Sequence, residues 1–210
     1  MEQYHKILTA WLRDPDTKFK TLLHGQWARE EFGWLAANRW LWTEKVDGTN
    51  IRVMWDGEKV RYGGKTDRAQ IPAFLVDWLM ANLPGDKFAC SYPQEPLCLY
   101  GEGYGAKIQK GGGNYIHDGV AFVLFDVRVG DVWLERENVE DVASLLSLNT
   151  VPVVGSGPLT AGIQMAQDGF ASQFGTARAE GLVMRPAVEL LDRRGRRIIT
   201  KVKHKDFSNV

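Results

Sequence analysis

The sequence predicts an α+β fold with mainly antiparallel sheets flanked by helices. Two observations predict it: segments of period two outnumber those of helical period, and most of the strand-like segments have a neighbour in the chain with which to pair. With 210 residues, and no internal repeat, low-complexity tract or linker, the chain reads as a single domain over 1–210.

The opening segment is rich in large rings, with Trp11, Trp27, Trp34, Trp40 and Trp42 supplying five of the eight tryptophans. They are expected to pack against a sheet. From Leu41 the period becomes two through LWTEKVDGTNIRVMW, and the turn Asp56-Gly57 followed by KVRYGG reads as a hairpin. Ile71 to Asn82 has helical spacing, with Pro72 at its start and Leu83-Pro84-Gly85 closing it. LCLYGEGY and GVAFVLFDVRV read as strands, NVEDVASLLSL as a helix and GFASQFGTA as a short helix. GLVMRPAVEL and RRIITKVKH alternate again around the polar turn LDRRGR.

Composition excludes several classes. Apolar residues make up 44% and charged residues 25%, which rules out disordered and fibrous chains. Cys90 and Cys98 have no CxxC spacing and no matching histidine pair, against zinc and against a disulfide framework. No signal peptide is recognisable, and the longest apolar run, Val120 to Phe125, is far short of a membrane span. The expected setting is therefore cytoplasmic, or the host cytoplasm for a phage-encoded chain, with no membrane partner. Lys plus Arg equals Asp plus Glu at 26 each, but residues 176–210 carry nine basic side chains against four acidic ones. A basic end on a neutral chain suggests a surface that faces phosphate, or a solvated hairpin tip around Arg193, Arg194, Arg196 and Arg197.

Two phosphate-binding patterns fail on inspection. Gly64-Lys65-Thr66 has Lys59 where a P-loop needs its first glycine. Gly101-Glu-Gly103-Tyr-Gly105-Ala106 runs into KIQKGGGNY, and such a glycine-rich segment cannot open the helix that a dinucleotide fold requires.

A stronger signal is an ordered set of polar residues, each on or at the end of an expected strand. EKVDGTN carries Lys45; LYGEGYG carries Glu102; FVLFDV carries Phe125 and Asp126; EGLVMRP carries Glu180; ITKVKHK carries Lys201 and Lys203. On a strand of period two Lys201 and Lys203 share a face, as two ligands of one phosphate must, while Asp126 is expected to point away from Phe125 and to fix a turn or an arginine.

This set resembles the covalent nucleotidyltransferases, the superfamily of ATP-dependent RNA and DNA ligases and mRNA capping enzymes. Over roughly residues 40–207, EKVDGTN, GEGYGAKIQKGGGNY and EGLVMRP are most similar to the RNA ligase 2 branch. The resemblance implies the ligase adenylation fold with a central ATP cleft. It implies Lys45 as the nucleophile that forms a lysyl-AMP, and Glu102 as the carboxylate on the ribose. Phe125 becomes the ring stacked on adenine, Glu180 the carboxylate used with Mg²⁺ or Mn²⁺, and Lys201 and Lys203 the contacts to the α-phosphate. Glu44, Asp47, Gly48 and Asn50 join the nucleotide-binding set, Asn50 acting when a nucleic-acid 5′-phosphate binds. Lys65 stands in GGKTDRAQIP where the family usually has arginine; lysine keeps the charge and loses bidentate phosphate recognition.

Elementary chemistry agrees with those roles. A reference pKa near 10.4 leaves roughly four lysines in ten thousand neutral at pH 7, so a lysine nucleophile belongs beside other cations, which also neutralise charge on a phosphate in flight. Carboxylates suit a ribose hydroxyl and a hard metal ion. A phenyl face contributes roughly 1–3 kcal/mol per stacked base. The Lys107–Gly113 loop, with Lys110, reads as a phosphate clamp or as a mobile surface loop.

The function implied is sealing of RNA 5′-phosphate and 3′-hydroxyl ends, in a nicked duplex, a single strand or an RNA/DNA hybrid. A DNA ligase, a GTP-using capping enzyme and a non-catalytic RNA-binding protein remain alternatives. Only Asp206 to Val210 follow the last motif, so no separate C-terminal domain or OB-fold is expected, and end binding should be weak and salt-sensitive.

Overall fold

The computed structural model describes residues 3–207. Its strands in chain order are β1 (Leu8–Thr9), β2 (Trp11–Arg13), β3 (Leu22–Trp27), β4 (Trp40–Lys45), β5 (Thr49–Trp55), β6 (Val60–Gly64) and β7 (Leu97–Gly105). They continue with β8 (Val120–Val129), β9 (Val132–Trp133), β10 (Asn149–Thr150), β11 (Val153–Gly157), β12 (Gly181–Pro186) and β13 (Thr200–Lys203). The helices are α1 (Glu30–Trp34), α2 (Ala73–Asn82), α3 (Gly85–Ser91), α4 (Arg136–Leu145) and α5 (Leu159–Asp168). The expected α+β class with mainly antiparallel pairing is what forms. Among the described residues, no helix is long and apolar enough to cross a membrane.

The chain forms two compact units. One comprises residues 6–46 and 152–207, the other residues 3–5 and 47–151.

The first unit is a five-stranded sheet in the order β1-β13-β12-β4-β11, antiparallel except for β1 with β13, and a small β2-β3 ribbon. Alternation along β4 sends Trp40 and Trp42 to one face, where they join Leu182, Met184 and Val202. Leu159, Ile163 and Ala166 of α5 complete this core; their i, i+4, i+7 spacing is the apolar stripe of a helix on a sheet. Leu159 and Ile163 each contribute about 1.5–3 kcal/mol on burial. The packing expected of the early tryptophans holds for Trp40 and Trp42, whereas Trp34 is 69% exposed.

In the second unit the sheet runs β10-β8-β7-β5-β6, with β9 beside β8, and β10 parallel to β8. One face is apolar: Ile51, Val53, Trp55, Leu97, Leu99, Phe122, Leu124 and Val127 pack with side chains of α2, α3 and α4. The other face carries Asn50, Arg52, Tyr100 and Glu102, since Asn50 lies opposite Glu102 and Arg52 opposite Tyr100.

The period-two run from Leu41 divides at Val46–Gly48, just after Lys45 ends its strand, and β4 and β5 enter different sheets. Two expectations are corrected. The helix expected in GFASQFGTA is absent, because Gly169 ends α5 at φ 77° and the following residues turn back through a bridge between Ala171 and Arg178. Phe125 and Asp126 do not point apart. Tyr100 pairs with Asp126 and Gly101 with Leu124, so Phe125 is the extra residue of a bulge. As a result Tyr4 meets both, its ring edge-on to Phe125 at 5.0 Å and its hydroxyl donating to Asp126 Oδ2 at 2.6 Å.

Candidate active site

In the first unit, three central strands bring the lysines together. Lys45 ends β4, Gly181 opens β12 and Lys203 ends β13, and the antiparallel registers align them in one row, Lys45 opposite Gly181 and Gly181 opposite Lys203. Residues in one row share a face, and so do those two positions back, which places Lys201 and Thr43 there with Val183 between them. The core lies on the opposite face.

Glu180, immediately before β12, reaches into this row. Its Oε1 takes the Lys203 ammonium at 2.6 Å and its Oε2 takes Lys45 Nζ. The side chains of Lys45, Lys203 and Glu180 are 19%, 23% and 10% exposed, so the pairs are shielded but reachable. Burial of Glu180 opposes its charge, yet Lys45 and Lys203 outweigh burial and hold its carboxyl below the ordinary value. The carboxylate stands between the two ammonium groups as counter-charge. Gly181 makes this possible, since a Cβ there would lie 2.0 Å from the Val202 carbonyl oxygen.

Glu44 is not with Lys45. Adjacent residues of a strand face opposite ways, and Glu44, 1% exposed, gives its two oxygens to Ser172 Oγ at 2.5 Å and the Gln173 N–H at 2.8 Å. Its side chain fastens the 172–173 segment.

In the second unit, Glu102 of β7 and Asn50 of β5 are direct cross-strand neighbours, and Asn50 Oδ1 is shut off from water without a hydrogen-bond donor. Such an acceptor invites a ligand donor. Phe125 stands half-buried on its bulge, and Lys65 is exposed in the turn after β6. The Asp47–Gly48 turn lies against β7 so closely that a Cβ on Gly48 would come 2.2 Å from the Gly103 oxygen. Tyr115 and Gln109 hold this turn and were not singled out from sequence: the Asp47 N–H donates to Tyr115 Oη at 3.1 Å, and Gln109 Nε2 donates to the Gly48 carbonyl at 2.9 Å. The motif GEGYGAKIQKGGGNY, which contains both, was the hint.

Among the described residues no three His, Cys, Asp or Glu side chains gather as a metal cluster. Glu180 stands as a lone carboxylate, a set that fits an ion of the Mg²⁺ type, which takes one or two carboxylates and completes its shell with phosphate oxygens and water.

The sequence model of the RNA ligase family matches residues 38–203, most of the chain. The chain belongs to the RNA ligase family. Solved RNA ligase structures from Naegleria gruberi share the fold. An apo aspartate-to-alanine variant matches at TM-score 0.68 and 16% identity, over 86% of this chain and 53% of that one. The ligase with pyrophosphate matches at 0.68 and 18% over the same shares, and a lysine-to-alanine variant with ATP and Mn at 0.68 and 16% over 86% and 54%. This RNA ligase family chain therefore spans about half the length of the solved structures it matches. No curated protein sequence matches it significantly.

Proposed function

We propose that this chain is an ATP-dependent RNA ligase adenylyltransferase, both units serving one activity, and that Lys45 is its nucleophile. The observation that carries the reading is the Lys45–Glu180–Lys203 cluster, with Lys201 on the same sheet face. Two lysines paired with one carboxylate leave an excess of positive charge here, which suits a polyphosphate.

In the proposed step, neutral Lys45 Nζ attacks the α-phosphorus of ATP. An N–P bond forms, the bond from that phosphorus to the bridging oxygen breaks, pyrophosphate leaves and the amine proton passes to solvent. Lys201 and Lys203 neutralise charge on the phosphate oxygens as it builds. Glu180 orients both lysines before reaction; held below the ordinary carboxylate range, it stays ionised rather than storing the proton. Glu180 would also hold Mg²⁺ or Mn²⁺ together with ATP oxygens, an ion that supplies further phosphate neutralisation when bound. Glu102 takes the ribose, Phe125 stacks on adenine, Asn50 offers its unpartnered oxygen, Asp47 and Gly48 shape the turn after Lys45, and Lys65 contributes charge toward phosphate. Transfer of AMP to an RNA 5′-phosphate and its displacement by a 3′-hydroxyl complete the proposed sequence. The Naegleria gruberi structures with ATP and Mn, and with AMP and Mn, support this choice of nucleotide and metal.

The test is incubation with α-labelled ATP, GTP or NAD and Mg²⁺ or Mn²⁺, followed by mapping of any adduct. AMP from ATP on Lys45, and none in Lys45→Ala, is the expected result. No adduct, or one that Lys45→Ala retains, overturns the reading. A panel of splinted and unsplinted 5′-phosphorylated RNA and DNA strands at increasing salt then identifies the junction.

A further inference from the structure

The glycine-rich segment between β7 and β8 is wound and anchored. Its backbone closes on itself: Ile108 N–H donates to the Gly105 oxygen at 3.2 Å, Gly112 to Gln109 at 2.9 Å, Asn114 to Gly111 at 3.0 Å and Tyr115 to Gly112 at 3.0 Å. The winding requires Lys107 at φ 66°, a conformation that disfavours a side chain. It also requires Gly112, where a Cβ would lie 1.9 Å from the Gly105 oxygen. Ile108 packs against the apolar core of the unit, and the Tyr115 ring stands edge-on to Tyr104, a buried residue, at 6.0 Å. A segment wound and anchored in this way costs little further entropy when it makes a contact.

Two of its outward contacts go to one place. Tyr115 Oη accepts the Asp47 N–H, and Gln109 donates to the Gly48 carbonyl, so both outer polar groups of that dipeptide are held. The inner side of the turn is fixed by the approach of Gly48 to Gly103. Asp47 follows Lys45 by two residues and Asn50 follows Gly48 by two. The backbone at this point has no ladder partner of its own, because β4 has ended and β5 has not begun. Without the two contacts it would be the least constrained stretch of the motif.

We infer that Gln109 and Tyr115 are positioning residues for adenylate transfer, pegging the Asp47–Gly48 turn that follows the nucleophile in the chain. This rests on the reading of Lys45 given above. Neither side chain reacts. Misplacement of a reacting group by about 1 Å can cost roughly a hundredfold in rate.

The experiment uses the full chain with Tyr115→Phe, Gln109→Glu and the double variant, which keep the shapes and remove the acceptor and the donor. Single-turnover formation of the AMP adduct is measured across ATP concentrations, alongside the thermal midpoint. The expected result is a rate at saturating ATP at least tenfold lower in the double variant, a KM for ATP within about threefold of wild type, and an unchanged midpoint. Gln109→Lys, whose ammonium can donate to the same carbonyl, recovers more of the rate than Gln109→Glu. A wild-type rate in the double variant overturns the inference, and so does a loss that follows a fallen midpoint and is not recovered by Gln109→Lys. In both cases wild type still gains AMP on Lys45, so the ligase reading survives; wild-type protein that gains none overturns both.

Discussion

Glu180 Oε1 and Lys203 Nζ stand 2.6 Å apart, and the second oxygen of the same carboxylate takes Lys45. One anion thus sets the direction of two cations from different strands. Glu180→Gln keeps the shape but turns one of the two acceptors into a donor, leaving a lysine facing an N–H group. Adduct formation in this variant is expected to fall by roughly a hundredfold or more, the range seen when one preorganised polar group leaves a site. Urea unfolding should show a loss of about 1–2 kcal/mol, between the values for exposed and buried ion pairs.

The same cluster predicts an acid limit. Although burial pushes the other way, Lys45 and Lys203 hold the Glu180 carboxyl below its ordinary 4.5. For a group with a lowered folded pKa, the stabilisation is fully present above the unfolded value and is lost as pH falls through the folded one. The difference in urea midpoint between wild type and Glu180→Gln should therefore be constant from pH 7 to about pH 5 and shrink below that. A difference that instead grows as pH falls contradicts the assigned charge.

How much of this was legible depended on whether a signal was local. Lys201 and Lys203 share a face because strands alternate, a rule that reads directly from ITKVKHK, and Phe122 and Leu124 entered the core for the same reason. Phe125 and Asp126 escaped the rule because a bulge is decided by the pairing of two strands, not by either sequence. The alternation that put Lys45 on the open face also implied that Glu44 must turn inward, but the partners that satisfy it, Ser172 and Gln173, are more than 120 residues away. LTAGIQMAQD formed α5 while the next segment did not, because Leu159, Ile163 and Ala166 found Trp42 and Met184 to cover. The basic hairpin is partly neutralised in the fold: Arg196 and Arg29 both pair with Asp192, and Arg197 pairs with Glu189. A charge count cannot see such pairings.

Gly181 offers a test of how tightly the row of lysines is built. A methyl group there would meet the Val202 oxygen at 2.0 Å and Lys203 Cα at 2.7 Å, both backbone atoms that cannot swing aside. Gly181→Ala is expected to cost about 3 kcal/mol, the upper end of the overpacking range. Because the strain enters between β12 and β13, adduct formation should be impaired even at temperatures where circular dichroism reports a folded chain. A variant with normal stability would mean that the two strands separate easily.

Phe125 and Tyr4 touch, yet their substitutions should separate. Phe125→Ala removes the π-face assigned to adenine, and a loss of roughly 1–3 kcal/mol corresponds to a KM for ATP raised about 5- to 150-fold. Phe125→Leu fills a similar volume without that face, so it should resemble alanine in KM while unfolding later in urea. Tyr4→Phe keeps the ring that lies 5.0 Å from Phe125 and removes the hydroxyl that donates to Asp126, a carboxylate with no exposure to water. Losing a hydrogen bond to a buried carboxyl group costs about 1–3 kcal/mol, so this variant should lose stability and keep its KM for ATP. If instead Tyr4→Phe raises KM as Phe125→Ala does, the hydroxyl acts on the nucleotide site and the ring contact is secondary.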